Sequence, residues 1–340
     1  MSSPVGSIIR QCFRNSKEKY NILTYVTHER CNSNWSACNA NFYMIQKGPG
    51  LKGPWLTQYA QIPRNIFILP PVDQPLEYLN HLEIDMVISQ HKWGQFQTAN
   101  QISNYLGIPH IHYEHTCVTS DQLRKQVPEL KKMRADYNVF ITSQSCSDWN
   151  YSENDQDVKV INHGINSEFF RKLNTKRENR VLAIHNDWVG RSEILGFDIF
   201  KRNIIDQNIP YRIVGDTRGL SSAAQNEYDL LNEYNKSTIY YNTTRTSPLP
   251  MAAAESMSCE LPLVCLDNFM LGEIIQNGFN GYKTNDESEQ LKHIRRLLAD
   301  EDERKELGKN ARQTIIDRFS IKAFTDNWNK VFDEVSKIRK

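Results

Sequence analysis

Short apolar runs alternate along the chain with longer polar or amphipathic stretches, the pattern of parallel strands joined by helices. Residues 22–27 (ILTYVT) read as a first strand, 28–39 as a polar helix and 41–45 as the next strand. Residues 66–69 and 86–89 are further strands. A helix over 97–106 stops at Gly107, and Ile108-Pro109 leads into a strand over 110–113. Strands over 139–142 and 158–161 close this half.

The texture then changes. Residues 173–180 (LNTKRENR) are polar and charged with no apolar period, which predicts an interdomain linker. A second series follows: strand 181–184, helix 194–202, strands 211–214 and 238–241, helix 251–257 and strand 263–266. Three helical stretches fill the rest, from about residue 289 to 340. The last of them, roughly 322–338, has apolar positions at helical spacing. The expectation is an α/β protein of two doubly wound, Rossmann-like halves. Its ligand belongs at the carboxyl ends of the strands, in the cleft between the halves.

Composition narrows this little. At 340 residues, with 39% hydrophobic and 24% charged positions, the chain can build two real cores and is not a disordered polymer. Lys plus Arg (41) nearly equals Asp plus Glu (40), which excludes a general polyanion-coating protein but leaves room for a local basic site. No apolar run reaches the ~20 residues of a membrane span, and the start, MSSPVGSIIRQCF, is not read as a secretory signal. The 7 cysteines are scattered without paired metal spacing, so a reduced, cytoplasmic setting without structural zinc is expected.

Gly48-Pro49-Gly50-Leu51-Lys52-Gly53 matches G-x-G-x-x-G, with Asp73 lying 20 residues beyond it. Pro49 and Pro54 remove backbone donors, and the next strand follows too soon for a crossover helix, so a Gly/Pro loop is the better reading. Asp155-Gln156-Asp157 has the D-x-D form that can hold a divalent cation, but its hydrophilic setting reads as a solvated turn. Residues 121–134 form a basic helical stretch, broken near Pro128, carrying Arg124, Lys125, Lys131, Lys132 and Arg134. It is either an exposed helix face or an acceptor-binding patch. Of 9 histidines 7 precede residue 170, with His110, His112 and His115 around one strand end.

The informative segment is TSPLPMAAAESMSCELPLV, residues 246–264, followed by CLDNFMLGEIIQNGFNGYKTND. Glu255 stands in a small, apolar helix, where a carboxylate is costly unless it serves a partner. A ribose is such a partner, because its two hydroxyls can both donate to one carboxylate. Ser247-Pro248 has the form of an N-cap followed by proline at the first helical position, and the amide of Leu249 would then face a diphosphate oxygen.

These residues resemble the donor-binding domain of the retaining glycosyltransferases of family 4, which have the GT-B fold. Glu255 matches the second Glu of that family's Glu–seven residues–Glu motif, and the following SMSCELP keeps the pattern. NHGINSEFF (162–170) resembles the N-G-V-D-x-x-x-F segment, Val214-Gly215-Asp216 the V-G-D turn, and His115 the strand-end histidine. Residues 266–281 resemble the G-x-x-E-I-I-x-x-G-x-N-G ending. The chain departs where the first Glu is Ser247, the Lys-Gly pair is Leu195-Gly196, and a family Gly is Pro250.

The resemblance implies a first domain over 1–172 on the acceptor side, a nucleotide-sugar domain over 173–320, and a last helix, 321–340, crossing back to the first. It implies a retaining transferase using a UDP- or GDP-linked sugar without a metal. His115 and Glu255 would be catalytic, with Arg191, Gly215, Ser247, Leu249 and Glu255 on the donor and His28, His115, Lys131 and Lys132 on the acceptor side. The acceptor stays open between a glycan, a small molecule and a virus-type hydroxymethylated DNA base. A nucleotide-sugar epimerase and a non-catalytic nucleotide-sugar binder are the rival readings.

Overall fold

A computed structural model describes residues 20–46, 53–69, 79, 82–118 and 120–338. Residues 48–52 of the glycine-rich loop, and Asp73, lie outside them. The chain divides into two compact units, residues 1–164 with 322–340 and residues 165–321.

In the first unit the described residues form a parallel sheet of β1 (Tyr20–Tyr25), β2 (Ala40–Ile45), β3 (Ile66–Ile68), β4 (Met86–Ser89), β5 (His110–Glu114), β6 (Tyr137–Phe140) and β7 (Val158–Val160). Their order is β3-β2-β1-β4-β5-β6-β7, so the winding reverses beside β1. Every position of β1, β4, β5 and β6 is buried. Coverage on both faces is why these strands read as runs rather than alternations.

The second unit carries β8 (Val181–Ile184), β9 (Tyr211–Val214), β10 (Ile239–Asn242), β11 (Leu263–Cys265) and β12 (Gly281–Lys283), in the order β12-β11-β10-β8-β9. Here the winding reverses beside β8. The carboxyl ends of β8 and β10 therefore form the switch point at which open α/β sheets bind ligands.

Several expectations are corrected. The expected linker at 173–180 is strapped to the second unit: Leu173 N donates to Asn235 Oδ1 (2.7 Å), and Arg177 donates to the carbonyls of Cys259 (2.7 Å) and Glu260 (2.9 Å). The units part at 164/165 instead. The helix at Asp121–Leu130 runs unbroken through Pro128, with Ser120 Oγ capping Leu123 N. The polar helix after β1 is short, Glu29–Asn34, followed by a 3-10 turn. The expected helix at 194–202 is interrupted at Gly196 (φ +70°), where a Cβ would lie 2.1 Å from the Thr243 carbonyl oxygen. β6 begins at Tyr137 because Asn138, polar but buried, is satisfied by Ala135 O and Asp157 Oδ2. The helix Glu227–Lys236 has no counterpart among the expectations.

The final helix, Ile321–Val335, packs into the first unit. Trp328 is fully buried, edge-on to Trp35 (5.4 Å between centroids) and Tyr113 (5.0 Å). Phe332 stands against Phe42 (6.2 Å), and Tyr20 and Tyr137 donate to Asp333 and Glu334, each at 2.8 Å. Large-to-small truncation of a buried aromatic costs about 3–5 kcal/mol. Trp328→Ala should therefore lower the unfolding free energy by roughly that amount in urea titrations; a loss below ~1 kcal/mol would show that the helix is dispensable.

Candidate functional site

In the second unit, three loops leave the carboxyl ends of β8, β9 and β10 and are stitched together. Asn186 Oδ1 accepts from Asp216 N (2.8 Å), and Asp187 N donates to Asp216 O (2.7 Å). Gly215 (φ +123°) lies so close that a Cβ there would be 2.0 Å from the His185 carbonyl oxygen. Trp188 Nε1 and Thr243 Oγ1 both donate to Leu195 O at 2.9 Å. Arg245 donates to Ser192 O (2.8 Å) and Asp198 Oδ2 (2.7 Å). The site is therefore a rigid rim of short loops.

The helix after β10 is Met251–Ser258, with Pro250 as its N-cap (φ −66°, ψ 112°). This corrects the cap expected at Ser247-Pro248. A residue before proline is driven out of the helical region, so Pro250 keeps Leu249 out of the helix, and the extended ψ of Pro250 itself puts the first helical residue at Met251. Leu249 precedes it with its side chain buried in the core, and Ser247 is half-buried. The first helical amides, at Met251 and Ala252, are the ones without an intrahelical acceptor.

Glu255 is buried, and its Oε2 accepts from Tyr234 Oη at 2.9 Å. The carboxylate thus has a protein donor besides any ligand. Arg191 is exposed on the loop after β8. The residue that sequence reasoning missed is His185, directly after β8, buried and tilted against the Trp188 ring (4.4 Å between centroids), with Nε2 lacking a hydrogen-bond partner in the structure. Burial, helped by the Arg191 charge, pulls its pKa down to about 3. A histidine ending an apolar strand was the only signal for it.

In the first unit, His115 follows β5 and lies near His163 and Cys31; one ligand atom from each falls within 4.8 Å of the others. Burial and the neighbouring histidines, His163 first, hold His115 well below the usual imidazole range. His28 is exposed at the end of β1. Lys132 pairs with Glu129 (2.7 Å), and Lys131 reaches the Asn150 carbonyl. Arg134 grips Asp155 (3.0 Å) and Asp157, which gives the D-x-D triplet a structural partner.

One arrangement resembles a nucleophile triad. Ser89 Oγ lies 2.8 Å from His112 Nδ1, and His112 Nε2 lies 3.0 Å from Glu114 Oε2, while His110 Nε2 also meets Ser89 at 2.7 Å. All four are fully buried, so no substrate reaches the hydroxyl. The chain satisfies polar groups inside the sheet. Lys92, also buried, donates to Met133 O (2.8 Å), and burial lowers its pKa to about 8.

Residues 222–314 match the family described as Glycosyl transferases group 1. No curated protein sequence matches the chain. HepE from Anabaena, solved with UDP and glucose, has 13% identity and a TM-score of 0.74 over 93% of this chain and 100% of its own. Sucrose-phosphate synthase from Thermosynechococcus elongatus gives 12% and 0.69 over 93% and 99%. A glycosyltransferase from Rickettsia africae gives 13% and 0.65 over 94% and 99%. At such identities the likeness is one of fold. Residues 222–314 thus carry a glycosyltransferase group 1 domain, and the chain as a whole has the GT-B fold. No helix among the described residues is long and apolar enough to cross a membrane.

The buried histidine yields a pH dependence. His185 stays neutral in the folded chain down to about pH 3, whereas an unfolded histidine takes up its proton near pH ~6.5. Its folded pKa is depressed, so its contribution is whole above pH ~6.5 and falls by up to about 1.4 kcal/mol per pH unit below that. Urea midpoints measured at pH 7.5, 6 and 5 should decline, and His185→Asn should flatten part of the slope. An identical slope in the variant would refute the assignment.

Proposed function

We propose that this protein is a retaining glycosyltransferase that takes a UDP- or GDP-linked sugar on its second unit and transfers it to a hydroxyl acceptor. The observation that carries the reading is that the family-matched segment, 222–314, contains β10, the two-proline loop and the helix bearing Glu255. These lie at the switch point of the second sheet. A neighbour of the same fold was solved with UDP and glucose, which supports the donor class. Retention rests on the resemblance to family 4.

Departure of a nucleoside diphosphate develops negative charge on the leaving oxygens. Fixed donors and a cation lower that barrier without reorganising. Arg191 is the cation on the β8 loop, and the amides of Met251 and Ala252 are the fixed donors at the helix start. They stand in for the lysine that Leu195 replaces. Gly215 keeps the β9 turn close to the chain at His185. Glu255 binds the ribose while Tyr234 orients its other oxygen.

On the first unit, His115 and His28 are the acceptor-side groups. The basic stretch contributes less to this reading, because Lys132 and Arg134 already hold acidic partners. That weighs against a duplex DNA acceptor, which draws affinity from unpaired cations, and favours a glycan or small molecule.

The test is a thermal-shift panel of nucleotide sugars, followed by acceptor screening with the labelled winner. Transfer requires an acceptor, an epimerase turns over without one, and a non-catalytic relative only binds. For Glu255, charge-assisted hydrogen bonds are worth roughly 1.5–3 kcal/mol each. Glu255→Gln should therefore weaken nucleotide binding at least about tenfold with little change in Tm, and Tyr234→Phe should disturb binding far less. A lowered Tm with unchanged nucleotide affinity would reduce Glu255 to a structural partner of Tyr234.

A further inference from the structure

We propose that Cys31, His115 and His163 form a zinc site in the first unit, independent of the donor reading. The three come from different strand ends. Cys31 lies in the short helix after β1, His115 directly follows β5, and His163 lies just beyond β7. Distant in sequence, they bring one sulfur and two imidazole nitrogens within 4.8 Å of one another.

The spacing suits zinc. With Zn–S near 2.3 Å and Zn–N near 2.0–2.1 Å, a tetrahedral ion holds its sulfur and nitrogen ligands about 3.6 Å apart. Cys31 Sγ stands 3.7 Å from His163 Nδ1 and 3.8 Å from its Nε2. One edge of the tetrahedron is thus nearly formed, and a turn of the imidazole about Cβ–Cγ aims a nitrogen at the ion. The remaining edges need to close by roughly 1 Å, within reach of side-chain rotation.

Two further observations point to a ligand. His115 Nε2 is buried and has no hydrogen-bond partner in the structure. A buried polar nitrogen left so is costly, and a metal bond would satisfy it. Tyr113 Oη lies 3.2 Å from His163 Nδ1, the position of an outer partner that fixes a ligating imidazole through its second nitrogen. The donor set of one thiol and two imidazoles selects zinc over magnesium or calcium, which prefer oxygen. Binding releases the thiol proton to solvent, giving Zn–S⁻. Three protein ligands leave a fourth position for water or another oxygen ligand.

The test uses the full chain, stripped with a chelator and dialysed against Zn²⁺, with bound metal measured by elemental analysis. About one ion per chain is expected, and Cys31→Ser and His115→Gln should each lower affinity by at least about tenfold. Cobalt in place of zinc should give intense tetrahedral visible bands and a thiolate-to-metal charge-transfer band. That measurement on the unaltered chain decides the matter even if a variant fails to fold. Absence of the thiolate band, or variants that bind zinc as the unaltered chain does, would overturn the site. UDP binding to the stripped chain is measured separately, so the donor reading stands or falls on its own result.

Discussion

Covering both faces of each parallel sheet is the constraint from which the chemistry of this protein follows. A strand buried on both sides has no solvent for its polar side chains, so each must find a protein partner or lie where the strand stops. β5 shows the first solution: His110, His112 and Glu114 lie within the strand and, with Ser89, satisfy one another out of reach of water. His115, one residue past its end, shows the second. The same division separates buried Tyr241, bonded to Asn203 within the second core, from the loop residues Thr243 to Pro250 that follow it.

That constraint also makes the loop rim of the second unit rigid. Loops that leave adjacent strand ends are forced close together, and the chain resolves the crowding with glycine where a Cβ cannot fit. Gly215 beside His185 and Gly196 beside Thr243 are both such contacts. Pro250 delays the helix until Met251, which shortens its exposed start to a pair of amides. Arg191 stands exposed on the loop after β8. Arg245 is already committed to Asp198.

The near balance of acidic and basic residues has a local counterpart in the first unit. Part of the stretch that looks basic in sequence is paired with acids, Lys132 with Glu129 and Arg134 with Asp155 and Asp157. Partners 21 and 23 residues away, brought alongside by the β6–β7 pairing, offset the charge of Arg134, which a linear count would leave bare. The same proximity converts the D-x-D triplet into a clamp on an arginine.

The alternation of apolar runs and amphipathic stretches was enough to establish two parallel-sheet halves, because that periodicity arises from burial within each element. Val181–Ile184 and Tyr211–Val214 were legible residue for residue for this reason. The Glu255 helix and its flanking prolines were legible as a motif because their spacing is local. Sequence could not show where polar residues are tolerated in strands, as at Asn138, since their partners come from other elements. Nor could it show that 173–180 is a strap, that Tyr234 holds Glu255, or that Cys31, His115 and His163 meet. Those are contacts between residues far apart in the chain. Only the pairing order of the strands brings them together, and a linear pattern of hydrophobicity carries no record of that order.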